Sequence, residues 1–280
     1  METPAPAATL TFASVGDVHK KSAVCRLPER ERASTWFAQP TGTVSLQHNQ
    51  KLLHFIRHAQ GFHNVDARPI QQRAADARLT PEGEAQCAAL AATVEAAGLR
   101  PELIASSPLT RTLQTGVMCF RGPDGCPPMA ACESLRETVN FLCDRRRPLS
   151  EIRPEFEQVD FSACPHDEDA IWAAYEARHG PADLYGEHRE HRDLPSLARR
   201  AREAIEWLGG RPEREIVVVS HQSFLRALFS LGLTRKLRGL PVAVEYGGPR
   251  AAELKEVMMQ PFANCEMRTV LATFPRARQP

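Results

Sequence analysis

A chain of 280 residues, 42% apolar and 6% aromatic, suits an ordinary globular core in one large α/β domain or two small ones. Lys plus Arg number 35 against 34 Asp plus Glu, so a net charge of +1 supplies no field toward nucleic acid or an anionic membrane, and any anion site must be built locally. No apolar run approaches the ~18 to 20 residues of a membrane span and the start lacks a secretory signal, so the expectation is a soluble protein with no membrane or nucleic-acid partner.

Residues 1–45 read as a tail or accessory strand ahead of a domain over 46–280. Glu2 and Asp17 dilute the likeness of the first residues to an organelle transit peptide, so a cytoplasmic location is expected, with organelle targeting as the alternative. Cysteines at 25, 87, 119, 126, 132, 143, 164 and 265 form no CxxC pair, which argues against a zinc knuckle or a thioredoxin-like site and for a reducing compartment.

Lys51 to Ile56 is a short apolar run that stops at Arg57-His58 and predicts a buried strand delivering a polar pair at its C-terminal end, where open α/β sheets place their ligands. Thr80-Pro81-Glu82-Gly83 predicts a capped helix start, with helix to about Gly98. Leu103 to Ser107 predicts a second strand, Pro108 onward a helix carrying Arg111, and Met129 to Cys132 a third strand leading to Leu135-Arg136-Glu137. The polar stretch from about 138 to 165 is expected to lie over the sheet, within a cap of about 138–190. Helical spacing marks Asp167–Arg178 and Ser196–Leu208. Glu215 to Ser220 is the clearest strand and again ends in a histidine, His221; a helix from Ser223 and a last strand over Cys265–Thr273, with an antiparallel direction as an option, complete a three-layer α/β/α sandwich with a mostly parallel sheet.

In a parallel sheet, Arg57, His58, Arg111, Ser220 and His221 project over one edge. Guanidinium forks match phosphate oxygens, and with a histidine pKa near 6.5 one imidazole can be a neutral nucleophile while the other is a cation steadying the anion. Glu137 can reach the same edge as a proton donor; Glu133, Asp144 and Glu151 are the alternatives. Arg145-Arg146-Arg147 reads as a solvated loop run with substrate binding as the alternative, and His188 and His191 as polar surface rather than metal ligands. His54 and His63 need no chemical role.

The segments RHAQGFHN at 57–64, SSPLTRTLQT at 106–115, LRE at 135–137 and VVVSHQSFLRAL at 217–228 resemble the phosphoglycerate-mutase-like branch of the histidine phosphatase superfamily. The resemblance implies that His58 is phosphorylated, that Arg57 and Arg111 clamp phosphate, that His221 is the second pocket histidine and that Asn64 is a phosphate-loop residue. It implies Glu137 as proton donor, a small phosphorylated substrate, and no metal or organic cofactor. Ala59 stands where most relatives carry glycine, which demands φ below zero or some crowding. Thr138-Val139-Asn140-Phe141 stands where true mutases carry an arginine-histidine-tyrosine-glycine stretch that holds the substrate carboxylate, so a phosphatase is expected. A mutase or sugar bisphosphatase, and an inactive scaffold or phospho-ligand-binding protein, are the rivals.

Overall fold

The computed structural model describes residues 10–13, 46–69, 73–122, 125–181, 190, 193–231 and 243–275. Its centre is an eight-stranded sheet in the order β5-β4-β3-β6-β2-β8-β1-β7. The strands are β1 Leu10–Ala13, β2 Gln50–Arg57, β3 Leu103–Ser106, β4 Met129–Cys132, β5 Val159–Ala163, β6 Glu215–Ser220, β7 Val244–Tyr246 and β8 Met267–Thr273. β5, β4, β3, β6 and β2 run parallel, and β8 runs antiparallel to both β2 and β1.

The central strands read as unbroken apolar runs because helices cover both faces. Alternation divides their side chains: Leu53, Phe55, Ala105, Ile216 and Val218 face one core, while Ile56, Ile104, Ala131, Val217 and Val219 face the other. The first core is completed by α6 (Leu194–Gly210) and α7 (Gln222–Ser230), through Ala201, Leu208, Phe224 and Leu228. The second is completed by α2 (Pro81–Ala96) and α3 (Thr110–Phe120), through Cys87, Leu90, Leu113 and Phe120. The result is a three-layer α/β/α sandwich. α2 starts as the sequence predicts: the Gly83 amide donates to Thr80 Oγ1 at 3.0 Å and Pro81 takes the first helical position.

Within the first 45 residues, Leu10–Ala13 forms β1, whose Phe12 is fully buried against Phe55, Phe229 and Tyr246. Burying that ring contributes roughly 1.5–3 kcal/mol, alongside buried Leu10 and ladder hydrogen bonds to β7 and β8 on either side. The structure corrects the expectation that 138–165 lies wholly over the sheet. Val159–Ala163 is β5, pairing parallel with β4 at the sheet edge; Val159 and Phe161 are buried while Asp160 and Ser162 face water, an alternation suited to an edge strand. The remainder of this stretch includes α4 (Leu149–Ile152) and 3-10 turns at Leu142–Asp144 and Arg153–Glu155, followed by α5 (Ala170–His179).

Candidate active site

β2 and β6 are paired in register, Arg57 opposite Ser220, so each strand ends by delivering a histidine to the same edge. The ladder continues one step, the His58 amide donating to the Ser220 carbonyl at 2.9 Å. β3 places Ser107 and then Arg111 beside them, and β4 leads through a 3-10 turn, Glu133–Leu135, to Arg136 and Glu137. The rings of His58 and His221 are centred 5.1 Å apart.

The backbone sets the tautomer of His58. Its Nδ1 lies 2.7 Å from the Ala59 carbonyl oxygen, which can only accept, so Nδ1 carries the proton and Nε2 keeps a lone pair. Burial, then the charge of Arg111, holds the ring well below the ordinary histidine range. His58 is thus held toward the neutral form in a fixed orientation, with the Nε2 lone pair free. Arg111 Nε donates to His221 Nδ1 at 3.3 Å, so the remaining proton of His221 sits on Nε2, 2.9 Å from Ser107 Oγ. Burial and Arg111 hold His221 well below its usual range as well. Two buried rings beside a fully buried guanidinium are both held toward the neutral form, and His221 presents its N–H from Nε2.

Arg57 donates from Nη1 to the Phe262 carbonyl at 2.8 Å, while its buried Nε has no hydrogen-bond partner among the described residues. Arg111 donates from Nη1 to the Cys143 carbonyl at 2.8 Å and places Nη2 3.6 Å from Asp144 Oδ1. Glu137 lies at the start of α7, accepting from the amides of Phe224 at 2.9 Å, Ser223 at 3.2 Å and Thr138 at 2.8 Å. Asn64 stands exposed at the rim, its Oδ1 accepting from the Gly61 amide at 3.0 Å, so it shapes the turn after His58. The Asn264 amide group closes that turn by donating to the His58 carbonyl at 3.0 Å.

Ala59 is buried, lies outside the left-handed region and donates its amide to Thr115 Oγ1 at 3.0 Å, so the methyl group replaces glycine without backbone strain. The glycine this turn does require is Gly61: a Cβ there would lie 2.8 Å from His63 Nδ1 and 3.2 Å from the Arg78 carbonyl oxygen.

His63 is the residue that reasoning from sequence passed over. It is buried, its ring centre is 5.2 Å from that of His58, and burial, then Arg111 and Arg57, hold its pKa at about 2. Its signal in the sequence is only its place in the same turn, with Gly61 making room. Asp144, named as an alternative to Glu137, is fully enclosed behind Arg111. Its Oδ2 accepts from the amides of Phe141 at 2.9 Å and Asn140 at 3.2 Å, and its carboxyl is pushed up to about 7 by burial and then by the charge of Glu137. Glu133 is committed to ion pairs with Arg146 and Arg136, and Glu151 is exposed on α4.

The arginine run is not a solvated stretch throughout. Arg145 is exposed, but Arg146 is buried against Glu133 and the carbonyls of His166, Asp167 and Glu168, and Arg147 bridges Asp76 and Glu155. Arg136 is buried and grips Asp169 bidentately at 2.5 and 2.7 Å, which ties the Glu137 segment to α5. His54 lies inside β2, bonded to Thr269 Oγ1 at 2.8 Å. His188 and His191 fall outside the described residues. Among those described, no helix is long and apolar enough to cross a membrane.

A neutral imidazole lone pair surrounded by a second N–H donor, two guanidiniums and a carboxylate on a helix N-terminus can accept and pass on a tetrahedral anion. Comparison with known proteins identifies the relatives of the chain. The sequence profile of the histidine phosphatase superfamily, branch 1, matches residues 53–243. A "Phosphoglycerate mutase-like protein" of Arabidopsis thaliana is 31% identical over 258 residues, covering 80% of this chain and 85% of that one. A Schizosaccharomyces pombe protein named "Probable phosphatase" is 27% identical over 173 residues, covering 61% of this chain and 74% of that one. The crystal structure of a mycobacterial glucosyl-3-phosphoglycerate phosphatase aligns with a TM-score of 0.43 at 24% identity, covering 79% of this chain and 90% of that one.

Proposed function

The chain belongs to the histidine phosphatase superfamily, and on that premise we propose that it hydrolyses a small phosphate monoester through a covalent phosphohistidine on His58. The observation that carries the reading is the His58 tautomer. With Nδ1–H on the Ala59 carbonyl, Nε2 is the nucleophilic atom and needs no general base.

In the first step His58 Nε2 attacks phosphorus in line as the ester oxygen departs. Arg57 and Arg111 hold the equatorial oxygens, with the unpartnered Arg57 Nε as one directed donor, and His221 Nε2–H turns from Ser107 to the phosphoryl group. Asn64 keeps the turn in shape. Glu137 delivers the proton to the leaving oxygen. In the second step the Glu137 carboxylate takes a proton from water, which cleaves the phosphohistidine and releases inorganic phosphate.

Transfer to water rather than to a second phosphoglycerate is favoured by the residues after Glu137. Thr138, Val139 and Asn140 are buried, Val139 packing on Trp172 and Asn140 Nδ2 donating to Thr138 Oγ1 at 2.8 Å, so they offer no cation to a substrate carboxylate. The test is metal-free phosphate release from p-nitrophenyl phosphate, 3-phosphoglycerate and a panel of sugar and nucleotide monophosphates. Release should vanish in His58→Ala, and acid-labile phosphate should be trapped on the wild type by rapid quench. Release undiminished in His58→Ala would refute the mechanism, and phosphoglycerate interconversion without hydrolysis would select the mutase reading.

A further inference from the structure

Three cysteines that share no sequence motif meet behind the turn that carries His58. Cys87 comes from α2, Cys119 from α3 and Cys265 from the loop before β8, and their sulfurs all lie within 4.8 Å of one another, with Cys119 and Cys265 3.7 Å apart. All three are buried, in the apolar core that contains Ile56, Ala59, Leu113, Val219 and Met267. Cys265 adopts φ +58°, a left-handed backbone that a side chain with a Cβ rarely takes, and its amide is held by the carbonyls of Arg57 at 3.0 Å and His58 at 3.3 Å. The backbone is thus constrained at the residue that brings the third thiol to the other two.

We propose that this trithiol is a binding site for a trivalent thiophilic species of the arsenite class. Its size fits: the centre of a triangle of 4.8 Å edge is at most about 2.8 Å from each corner, and thiolate bonds to ions of this size are roughly 2.3 Å, so the sulfurs need only draw in slightly. Among the described residues no fourth His, Cys, Asp or Glu joins the group, which disfavours four-coordinate zinc and suits a centre that completes its shell with three sulfurs. Charge decides between soft ions. Three thiolates around a monovalent or divalent ion leave net negative charge in an apolar core, whereas a trivalent centre leaves none. The chemistry balances without an oxidant: the neutral trihydroxy acid exchanges three hydroxides for three cysteine sulfurs, the three thiol protons leaving with them as three waters. A disulfide between Cys119 and Cys265 would need an external oxidant and would leave Cys87 unused.

The test is arsenite added to the full-length protein under a phosphine reductant, read by native mass spectrometry. The expected product is one arsenic per chain with loss of three protons, its affinity falling at least tenfold in Cys119→Ala and in Cys87→Ala and unchanged in Cys126→Ala. If those variants fail to fold, the wild type decides: after free arsenite is removed and the chain is unfolded in urea, alkylation mapping should find Cys87, Cys119 and Cys265 protected together only in the arsenite-treated sample. No adduct on the folded wild type, an adduct kept at full affinity by both variants, or protection of other cysteines instead would overturn the proposal.

Discussion

Replacing Gly83 by alanine tests whether the turn after His58 is positioned by direct backbone packing. A Cβ at this position of α2 would lie 2.1 Å from the Gln60 carbonyl oxygen, 3.0 Å from its carbon and 3.2 Å from its nitrogen. The Thr80 amide donates to that same oxygen at 2.9 Å, so the helix cannot withdraw without losing the bond. Relief requires a relative movement on the order of 1 Å to reach ordinary contact. Overpacking of this kind costs about 1–3 kcal/mol, and the better helix propensity of alanine returns up to ~1 kcal/mol, leaving a net loss of roughly 0–3 kcal/mol. Because Gln60 is two residues from His58, misplacement of about 1 Å should also lower turnover on the order of a hundredfold. The matched control is Gly210→Ala at the end of α6, where a Cβ meets nothing within 4 Å and a gain of about 0.4–1 kcal/mol is expected. Urea midpoints and kcat/KM for p-nitrophenyl phosphate measure both effects. A Gly83→Ala protein equal to the wild type in midpoint and turnover, or a Gly210→Ala protein that loses as much as Gly83→Ala, would refute the reasoning.

Asp169→Ala removes the carboxylate that Arg136 grips and that also accepts from the amides of Trp172 and Arg146, both at 2.8 Å. A fully buried guanidinium is left undercompensated, so urea unfolding should show a loss of about 3 kcal/mol or more; a loss below about 1 kcal/mol would contradict the assignment. Asp144 gives a pH signature. Its carboxyl is pushed up to about 7, by burial first and Glu137 second, so the folded chain holds a proton that the unfolded chain releases between about pH 4 and 7. Stability from this group therefore falls as pH rises through that window and levels off above it. The fall should be shallower in Asp144→Asn, and parallel slopes in the two proteins would count against a raised Asp144.

Runs such as Leu52–Ile56 and Ile216–Val219 declare buried parallel strands because their apolar residues are contiguous, and the polar pairs that end them declare where the sheet edge lies. Arg57, His58, Arg111 and His221 were legible for that reason: each follows a short strand or opens the helix after one. β5 was not, since Val159, Phe161 and three polar or small neighbours give only a weak alternation inside a polar stretch. Charge states were not legible either. An isolated histidine has a pKa near 6.5, and only the sum of burial, Arg111 and neighbouring rings lowers both His58 and His221 well below it.

Local chemistry along the chain therefore determined the strands, the helix starts and which residues reach the edge, because those depend on neighbours within a few positions. Tertiary structure alone decided which nitrogen of His58 is free, that Gly61 exists to admit His63, that Arg146 is buried rather than offered to substrate, and that residues 87, 119 and 265 share one triangle of sulfur. These outcomes are set by distances and by solvent exclusion between segments far apart in the chain, and neither quantity is carried by residue type or spacing.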